Sequence, residues 1–284
     1  MKKILVTGAR GFIGRYLERE LAEDYQWLPY TGDVLNENWD AYMAQTKPDL
    51  LIHLAWVTGT GYSDSENNLC FLQKSIELYR AFFKCGGHRA VFVGTEQEYA
   101  RSDKCLKEDD PLAPQTLYAI CKESLGRALL EDSRIQGNSF AWCRIFFVYG
   151  TGEKPARLMP SLINGLLRNE TVTCSCKEFV RDYLHVSDVA YALRCCIEQD
   201  GIYAVNLAGG CKTTIGTVAE EVQRQIGGTV KVLYRGAEAC KDQPSSIWAD
   251  VSLLRSFGWS PRVSLAQGIA SEIKALREEM EAGI

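Results

Sequence analysis

Residues 3–14, KILVTGARGFIG, place a short apolar run directly before three glycines, Gly8, Gly11 and Gly14. The run predicts a buried strand, and residues 12–23 after it have the pattern of a helix. The first glycine allows a tight turn, the second lets backbone N–H groups approach a pyrophosphate, and the third permits close packing of helix on strand. The stretch therefore predicts a dinucleotide-binding loop, with an ordinary strand-to-helix turn as the alternative.

The rest of the first half alternates in the same way between apolar runs and helical patterns. Strands separated by helices indicate a parallel sheet with right-handed crossovers. The expected fold is α/β, a Rossmann-type doubly wound parallel sheet with a smaller C-terminal α/β substrate-binding lobe. Further strands are predicted at residues 27–30, 48–56, 88–95 and 140–150, and helices at residues 68–87 and around Tyr118.

The pattern becomes less regular after Gly150, which is typical of a smaller lobe that covers a substrate. We expect residues 1–150 to form the NAD(P)-binding domain. Residues 151–284 are then mainly the substrate-binding lobe, interleaved with returning segments of the first domain. The predicted elements are a loop and helix at 151–170, a short exposed strand at 171–176, a strand, turn and helix at 181–199, and a charged amphipathic helix at 270–283.

Composition excludes several classes of protein. The 284 residues are 46% hydrophobic and 24% charged, which is typical of a globular protein. A formal net charge of -4 disfavours nucleic acid or an anionic membrane as a partner. No apolar run approaches the length of a membrane span. The two lysines at the N-terminus precede only a short apolar run without a cleavage site, so we interpret the run as a mature first strand.

The cysteines and histidines do not predict a metal site. None of the eleven cysteines lies in a Cys-x-x-Cys pair, and His53, His88 and His185 are not at ligand spacing. We expect most thiols to be small core or surface residues of a cytoplasmic protein in a reducing environment, with at least one thiol free. His53 is expected to pack near the cofactor rather than to act as a base.

The choice of dinucleotide depends on the end of the second strand. An acid there would hold the 2′-hydroxyl of NAD, but residues 27–30 end without one. Asp33 follows shortly afterwards, where it can reach the adenine. Arg10 lies inside the glycine loop and is placed to meet a 2′-phosphate, although a solvated arginine is the alternative. These features favour NADP(H) over NAD(H).

Several ordered motifs carry a family resemblance. The sequence resembles the extended short-chain dehydrogenase/reductase family, in its nucleotide-sugar epimerase, dehydratase and reductase branch. The resemblance covers the chain almost from end to end. The motifs are TGARGFIG (7–14), IHLAW (52–56), VGTEQEYA (93–100), YAICK (118–122), RIFFVYG (144–150), RDYLHVSDVA (181–190), VNLAGG (205–210) and ADVSLLRSFGWSPR (249–262).

The resemblance implies a catalytic role for Thr95, Tyr118 and Lys122. Tyr118 and Lys122 are one helical turn apart, and a lysine ammonium near a phenol is expected to lower a pKa that is ordinarily about 10. Lys122 would also hold the nicotinamide ribose, Thr95 the substrate oxygen, while Tyr118 transfers the proton. The expected cofactor-binding residues are Gly8, Arg10, Gly11, Phe12, Ile13, Gly14, Asp33, Val34, Leu54, Ala55, Trp56, Tyr118 and Lys122.

The stretch TEQEY, residues 95–99, bears on the reaction. Dehydratases of the family have an Asp-Glu pair where this chain has Glu96 and Gln97, and an amide cannot act as a general base. We therefore expect NADPH-dependent reduction of the C4 keto group of a nucleotide-diphosphate-linked 6-deoxy or 3,6-dideoxy sugar. The C-terminal run resembles the 4-ketoreductases that complete CDP-3,6-dideoxyhexoses. The alternatives are an NAD-dependent nucleotide-sugar 4-epimerase and a non-catalytic NADP-binding regulatory subunit.

The resemblance also implies contacts with the sugar nucleotide. Arg181 matches an arginine that meets the substrate diphosphate, and a structural salt bridge to Asp188 is the alternative. Helices within 68–83 and 118–131 are expected to pair across a two-fold axis as a four-helix bundle in a homodimer, or else to serve the domain core. The expected substrate-binding residues are Thr58, Glu96, Gln97, Arg157, Cys174 and Arg181.

Overall fold

The computed structural model describes residues 1–227, 231–240 and 243–282. In chain order the elements are β1 (Lys3–Thr7), α1 (Phe12–Leu21), β2 (Gln26–Pro29), α2 (Trp39–Thr46), β3 (Leu50–His53), α3 (Asn67–Lys84), β4 (Arg89–Thr95), α4 (Leu117–Gln136), β5 (Ser139–Ile145), β6 (Phe147–Tyr149), α5 (Leu158–Leu167), β7 (Val172–Cys174), β8 (Val180–Arg181), β9 (Tyr183–His185), α6 (Val186–Glu198), β10 (Ile202–Leu207), β11 (Thr213–Thr214), α7 (Ile215–Ile226), β12 (Val232–Tyr234), β13 (Ser246–Ile247), α8 (Ser252–Ser256) and α9 (Leu265–Glu281).

The main sheet has six strands in the order β10-β5-β4-β3-β1-β2, and every neighbouring pair is parallel. From β1 the chain moves outward to β2 and then crosses back to β3 on the other side of β1. This reversal creates a switch point between β1 and β3, where open α/β sheets bind ligands at the carboxyl ends of their strands. The predicted doubly wound parallel sheet is confirmed.

Helices cover both faces of the sheet, which explains why its strands are apolar throughout rather than alternating. Successive residues of β1 point to opposite faces. Ile4 and Val6 belong to a buried cluster that includes Leu17 of α1, and Leu5 belongs to a second cluster that includes Phe82 of α3. The sheet therefore has a hydrophobic core on each side.

A third hydrophobic cluster forms the part of the molecule that we call the cap. It is built by α5, α7 and α9 and includes Ile163, Val218 and Ile269, all fully buried. Residues after Gly150 also supply β10 to the main sheet and α6 to one of its faces. The division of the chain at residue 150 stays a prediction.

Three local features differ from the sequence-based expectations. The helix α2 was not predicted, because only Trp39 and Met43 among its residues are buried and its apolar pattern is weak. The strand predicted at 140–150 divides into β5, in the main sheet, and β6, which pairs with β9 instead. The strand predicted as exposed at 171–176 contains Cys174, which is buried because a free thiol packs as a small apolar group.

The cysteines are all free thiols, and Cys70 and Cys211 are the two that are exposed. Within the described ranges, no helix is long and apolar enough to cross a membrane. In the same ranges, no group of three or more His, Cys, Asp or Glu side chains is arranged to hold a metal ion.

Candidate active site

The glycine loop after β1 is held in its shape by close backbone contacts. Gly8 has φ +71, and a Cβ on it would lie 2.8 Å from the backbone nitrogen of Ala55. A Cβ on Gly14 would overlap the carbonyl oxygens of Gly8 and Ala9. Gly11 is the N-cap of α1 and provides no side-chain cap, so the first-turn amides remain available to an anion. The loop thus has the form that a pyrophosphate requires.

The residues expected around the adenosine differ in exposure and in their hydrogen bonds. Arg10 is exposed, and no ion pair with another described residue engages it. The Asp33 carboxylate accepts the backbone N–H of Leu35 at 3.0 Å and the side-chain amide of Asn36 at 2.6 Å, so it is occupied by a local turn. The Val34 side chain is buried in the core, so its backbone is the part that it could offer to a cofactor.

In the first turn of α1, the predicted cofactor residues Phe12 and Ile13 are half-buried, and the Phe12 ring meets the ring of Tyr16 edge-on. After β3 come Leu54 and Ala55, which are also half-buried, and the backbone N–H of Ala55 donates to the Thr7 hydroxyl at 3.3 Å. These residues therefore lie on both sides of the switch point between β1 and β3.

Trp56 contacts Lys122 and is held in place by its neighbours. Its indole N–H donates to the Asn68 side chain at 2.8 Å, and its ring stacks on Phe71. The Lys122 ammonium lies 3.8 Å from the centroid of the Trp56 ring, a cation–π geometry. Thr58, two residues further along, is exposed.

Lys122 is buried on α4 directly behind β4. Its Nζ donates a hydrogen bond to the carbonyl of Val93 at 2.8 Å. Burial lowers the pKa of Lys122 to about 7, and the Glu98 carboxylate acts in the opposite direction. The helix itself begins at Thr116, whose hydroxyl accepts the backbone N–H of Ala119 at 3.2 Å. Lys122 is therefore held in a fixed place and is close to its titration point at neutral pH.

Tyr118 lies one turn before Lys122 and is half-buried, with its ring edge-on to Tyr62 at 5.0 Å between centroids. Burial raises the pKa of Tyr118, the Glu96 carboxylate raises it further, and a hydrogen bond with Thr95 acts to lower it. This corrects the expectation that Lys122 lowers the Tyr118 pKa, because burial and Glu96 dominate. The phenol is therefore held in its protonated form.

Thr95 ends β4 and connects Tyr118 to an acid. Its hydroxyl donates to Glu96 Oε2 at 2.8 Å. Burial raises the pKa of Glu96, while the hydrogen bond from Thr95 and the charges of Arg157 and Arg181 act to lower it. The backbone N–H of the neighbouring Gln97 donates to the Thr95 hydroxyl at 3.4 Å.

Tyr62 is a site residue that the sequence-based reasoning missed. It begins a short 3-10 turn, Tyr62–Asp64, in the loop after β3. Its ring contacts Tyr118, and its hydroxyl accepts a hydrogen bond from the side chain of Gln97 at 3.2 Å. The only sequence signal is an aromatic residue in a glycine-flanked loop, which is too general to predict the contact.

Glu98 is the second residue missed. It is 1% exposed, and its carboxylate accepts hydrogen bonds from the Thr95 backbone N–H at 2.8 Å, the Trp142 indole and the Arg144 guanidinium at 2.8 Å. Burial raises the pKa of Glu98, whereas Arg144 and the other N–H donors favour its ionised form. The sequence signal was present, because Thr95 and Glu98 have the Thr-x-x-Glu spacing of a capping box.

Arg181 is not paired with Asp188, so the salt bridge considered for it is wrong. The Asp188 carboxylate accepts the backbone N–H groups of Arg262 and Val263 at 2.9 and 3.0 Å. The Arg181 guanidinium lies over the rings of Phe147 and Phe179, and burial lowers its pKa. Its charge acts on Glu96 to favour the ionised form.

The other two predicted substrate residues have different surroundings. Arg157 is the exposed N-cap of α5, and its charge acts on both Glu96 and Glu153. The Cys174 side chain is buried in the cap core, which leaves only its backbone for a substrate, and its carbonyl already accepts the N–H of Arg235 at 3.1 Å.

His53 lies between β1 and α3, and both of its ring nitrogens have hydrogen-bond partners. One ring nitrogen is 2.6 Å from the Thr7 hydroxyl, and the other is 2.8 Å from the Ser75 hydroxyl. Burial lowers the pKa of His53 to about 3, and the charge of Lys122 contributes. The ring is therefore neutral and links two strands of the sheet to α3.

A phosphate-binding loop at the switch point, with a buried lysine, a tyrosine and a threonine at the carboxyl end of β4, defines a dinucleotide-dependent enzyme. The sequence model of the NAD dependent epimerase/dehydratase family matches residues 4–208, which is most of the chain. The protein belongs to this family of NAD(P)-dependent enzymes. Solved structures with this fold contain either NAD or NADPH.

Individual relatives cover almost the whole chain at low identity. The dTDP-4-dehydro-6-deoxyglucose reductase of Escherichia coli is 23% identical, over 96% of this chain and 97% of its own. The CDP-abequose synthase of Salmonella muenchen is 25% identical, over 94% and 96%. A UDP-glucose 4-epimerase of Thermotoga maritima, solved with UDP-glucose, superimposes with a TM-score of 0.89 at 24% identity, over 98% of this chain and 99% of its own.

Proposed function

We propose that the protein reduces the C4 keto group of a nucleotide-diphosphate-linked 6-deoxysugar with NADPH. The observation that carries this proposal is the group formed by Tyr118, Thr95 and Glu96, in which burial and the Glu96 carboxylate raise the pKa of the phenol. A reductase needs its tyrosine as a proton donor. An epimerase uses the same tyrosine first as a base and then as an acid, so NADPH consumption is what separates the two reactions.

Each side chain has a defined part in the reaction. A bound NADPH supplies the hydride to the carbonyl carbon. Thr95 holds the carbonyl oxygen at the end of β4, and Tyr118 donates its proton to that oxygen. Lys122 donates one N–H to the Val93 carbonyl, and its remaining N–H groups orient the nicotinamide ribose. Tyr62 packs edge-on against the Tyr118 ring and so supports its position.

The preference for NADPH rests on Arg10 and Asp33. Arg10 is exposed beside the glycine loop, and the Asp33 carboxylate is occupied by Leu35 and Asn36 and does not replace the missing acid of β2. An arginine fork suits a 2′-phosphate. We expect Arg10→Ala to raise the KM for NADPH by about 10-fold, in line with the loss of one charged hydrogen bond, and to leave the KM for NADH unchanged.

The control for Arg10→Ala is Arg19→Ala, which removes an exposed arginine further along α1, where it lies over the Tyr16 ring. An equal loss of NADPH and NADH affinity in Arg10→Ala, or an equal effect in the control, would contradict the assignment of the 2′-phosphate to Arg10.

The substrate side is proposed from charge. The charges of Arg157 and Arg181 both act on the Glu96 carboxylate. Two arginines provide the positive charge that a nucleotide diphosphate needs. The names of the Escherichia coli reductase and the Salmonella muenchen synthase support a deoxysugar as the substrate class.

The decisive experiment mixes the protein with NADPH and a CDP- or dTDP-linked 4-keto-6-deoxyglucose that is generated in place, and follows the loss of NADPH absorbance. We expect stoichiometric oxidation of NADPH and a new alcohol at C4.

The likeness to the Thermotoga maritima enzyme favours a 4-epimerase as the second candidate. Interconversion of UDP-glucose and UDP-galactose by tightly bound NAD, without NADPH consumption, would establish it. Cofactor binding without either reaction would indicate a regulatory subunit.

We also propose that the protein is a homodimer through α3 and α4. Leu69 on α3 and Ile120 on α4 are exposed apolar side chains, at 54% and 45%. Covering them in a four-helix bundle removes apolar surface from water. A mass measurement by light scattering should give twice the chain mass for the wild type and the mass of one chain for Ile120→Asp. An unchanged mass would exclude this interface.

The free thiols are consistent with a reducing, cytosolic compartment.

A further inference from the structure

A cavity in the cap contains two carboxyl groups that the proposed reaction does not use. It lies between α5, α9 and the loop after β6, and its volume is about 230 Å³. Glu153 of the loop and Glu272 of α9 line it, and Glu272 is only 2% exposed. The Oε2 atom of each carboxyl is buried and has no hydrogen-bond partner within the described ranges of the chain.

The charges around this cavity favour a positively charged ligand. The charged side chains that line it are Glu153, Glu272, Glu279 and Arg168. Arg168 and Glu279 are exposed and screened by water, so the two buried carboxyl groups decide the balance. Burial raises the pKa of Glu272 to about 7 and that of Glu153 to about 8, a rise to which Glu272 adds and which Arg157 opposes. A cation between the two groups would replace their protons and compensate both charges.

The remaining walls favour an organic cation over a metal ion. The cavity is also lined by the buried Pro160 of α5, by the half-buried Ala275 and Leu276 of α9, and by Met280 at its exposed edge. These apolar side chains suit a carbon chain, whereas Mg²⁺ and Ca²⁺ require six or more oxygen ligands. The volume is also several times the share of one water molecule, about 30 Å³. An ammonium group on a short carbon chain therefore fits both parts of the cavity, since it carries three N–H donors.

We propose that this cavity binds a small primary amine in its ammonium form. The ammonium donates N–H groups to Glu153 Oε2 and Glu272 Oε2, and the carbon chain lies against Leu276 and Met280. The bound amine joins α9 to the loop after β6. This site is separate from the proposed reduction, and the inference does not depend on that reaction.

Isothermal titration calorimetry of the whole protein with butylammonium chloride at pH 8 is the first test. Glu153→Gln and Glu272→Gln keep the size of each side chain but remove its charge, and each should weaken binding by about 10-fold or more, in line with the loss of one charged hydrogen bond. Glu278→Gln changes an exposed glutamate on the same helix and should bind as the wild type does. Wild-type affinity in both cavity variants, or no binding to the wild type, would overturn the proposal.

The pH dependence of binding is the second test. The free carboxyl groups hold protons below their pKa values of about 7 and about 8, while an alkylammonium stays charged, as lysine does with an ordinary pKa of about 10.4. Binding must then release protons, so the affinity should rise from pH 6 to pH 8 by up to about 10-fold per pH unit for each proton released. The measured heat should also depend on the ionisation enthalpy of the buffer. An affinity that does not change with pH would overturn the proposal.

NMR of carbon-13-labelled methionine methyl groups locates the ligand. Met280 lines the cavity, whereas Met43 is buried on α2. Butylammonium should shift the Met280 signal, assigned with Met280→Leu, and leave the Met43 signal in place. An equal shift of Met280 with 1-butanol, or in Glu272→Gln, would overturn the role of charge. Amine binding by a protein that consumes no NADPH with any ketosugar would contradict the proposed function alone, and the reverse result would contradict only this inference.

Discussion

Glu98, beneath the candidate site, and Glu272, in the cap, are about equally buried, at 1% and 2% exposure. The Glu98 carboxylate is surrounded by N–H donors from Thr95, Trp142 and Arg144. In Glu272, Oε2 has no hydrogen-bond partner in the described part of the chain, and the same is true of Oε2 in Glu153. Burial raises the pKa of Glu272 to about 7 and that of Glu153, which Glu272 also raises, to about 8.

The two regions thus accommodate buried carboxyl groups in different ways. Near the site, directed hydrogen bonds satisfy the Glu98 carboxylate and hold Thr95 in place. In the cap, the carboxyl groups reduce their desolvation cost by holding protons. Glu153 and Glu272 line a cavity of about 230 Å³ in the cap. A reaction requires side chains that are held in fixed positions, and the carboxyl groups of the cap do not need to be held in this way.

The largest expected difference between the regions is in turnover. Tyr118→Phe removes the proton donor and should lower kcat by about 100- to 10,000-fold, measured as NADPH oxidation. Tyr149→Phe makes the same change beside the cap, where the hydroxyl only donates to the Ser264 carbonyl at 3.4 Å, and should turn over nearly as fast as the wild type. Comparable losses in both variants would remove the distinction between the regions.

Substitutions of Glu98 and Glu272 should lower the free energy of unfolding by different amounts. Glu98→Ala leaves the Arg144 guanidinium buried without its carboxylate and should lower the free energy of unfolding by about 3–5 kcal/mol. Glu272→Gln replaces a carboxyl whose pKa is raised to about 7 and which has no charged partner to strand, so it should change the free energy of unfolding far less. Urea denaturation at neutral pH measures both values, and a larger loss in Glu272→Gln would reverse the interpretation.

The pH dependence of stability should come partly from the cap. The folded pKa values of Glu153 and Glu272 lie above their unfolded values, so between about pH 4.5 and pH 8 the folded state holds protons that the unfolded state has lost. Each such proton lowers the free energy of unfolding by about 1.4 kcal/mol per pH unit as the pH rises. Asp182, whose pKa burial raises to about 6, acts in the same direction up to that pH.

The measurement that isolates the cap is the difference between variant and wild type. Glu153→Gln and Glu272→Gln should each flatten the decline of stability between pH 5 and pH 8. Glu23→Gln, at an exposed position after α1, is the control and should keep the wild-type slope. Parallel curves for all variants would show that the cap carboxyl groups are not protonated.

The smallest effects are expected at two helix caps. Thr116 caps α4, which carries Tyr118, and Thr214 caps α7 of the cap by accepting the Thr217 N–H. Either change to alanine should lower the free energy of unfolding by about 1 kcal/mol. Only Thr116→Ala should also lower kcat, because it loosens the turn that positions Tyr118. A kcat loss in Thr214→Ala would show that the cap controls the chemistry.

The sequence predicts the parts of the site that are local in the chain. The glycine loop is recognisable because close backbone atoms require glycine at positions 8 and 14. These atoms lie within a few residues in the chain or just after the neighbouring strand. Tyr118 and Lys122 share a helix face, so their spacing alone places them together. Alternating apolar runs and helices indicate parallel strands, and the parallel sheet was predicted for that reason and is confirmed.

Contacts between distant residues could not be predicted. Glu98 meets Arg144 across 46 positions, and nothing local in either stretch indicates the partner. The same holds for Asp188, which binds backbone N–H groups more than 70 positions away rather than Arg181. Apart from β10, the strands after Gly150 have only two or three residues, too short to show a period.

The edge strand β2 limits how copies of this chain can associate. It has only four residues and ends at Pro29, which has no N–H to donate. The opposite edge, β10, is engaged through Asn206, whose backbone N–H donates to Glu108 and whose side chain donates to the Leu106 carbonyl. Growth of the sheet from one molecule into the next, the route to cross-β aggregates, is thereby discouraged at both margins.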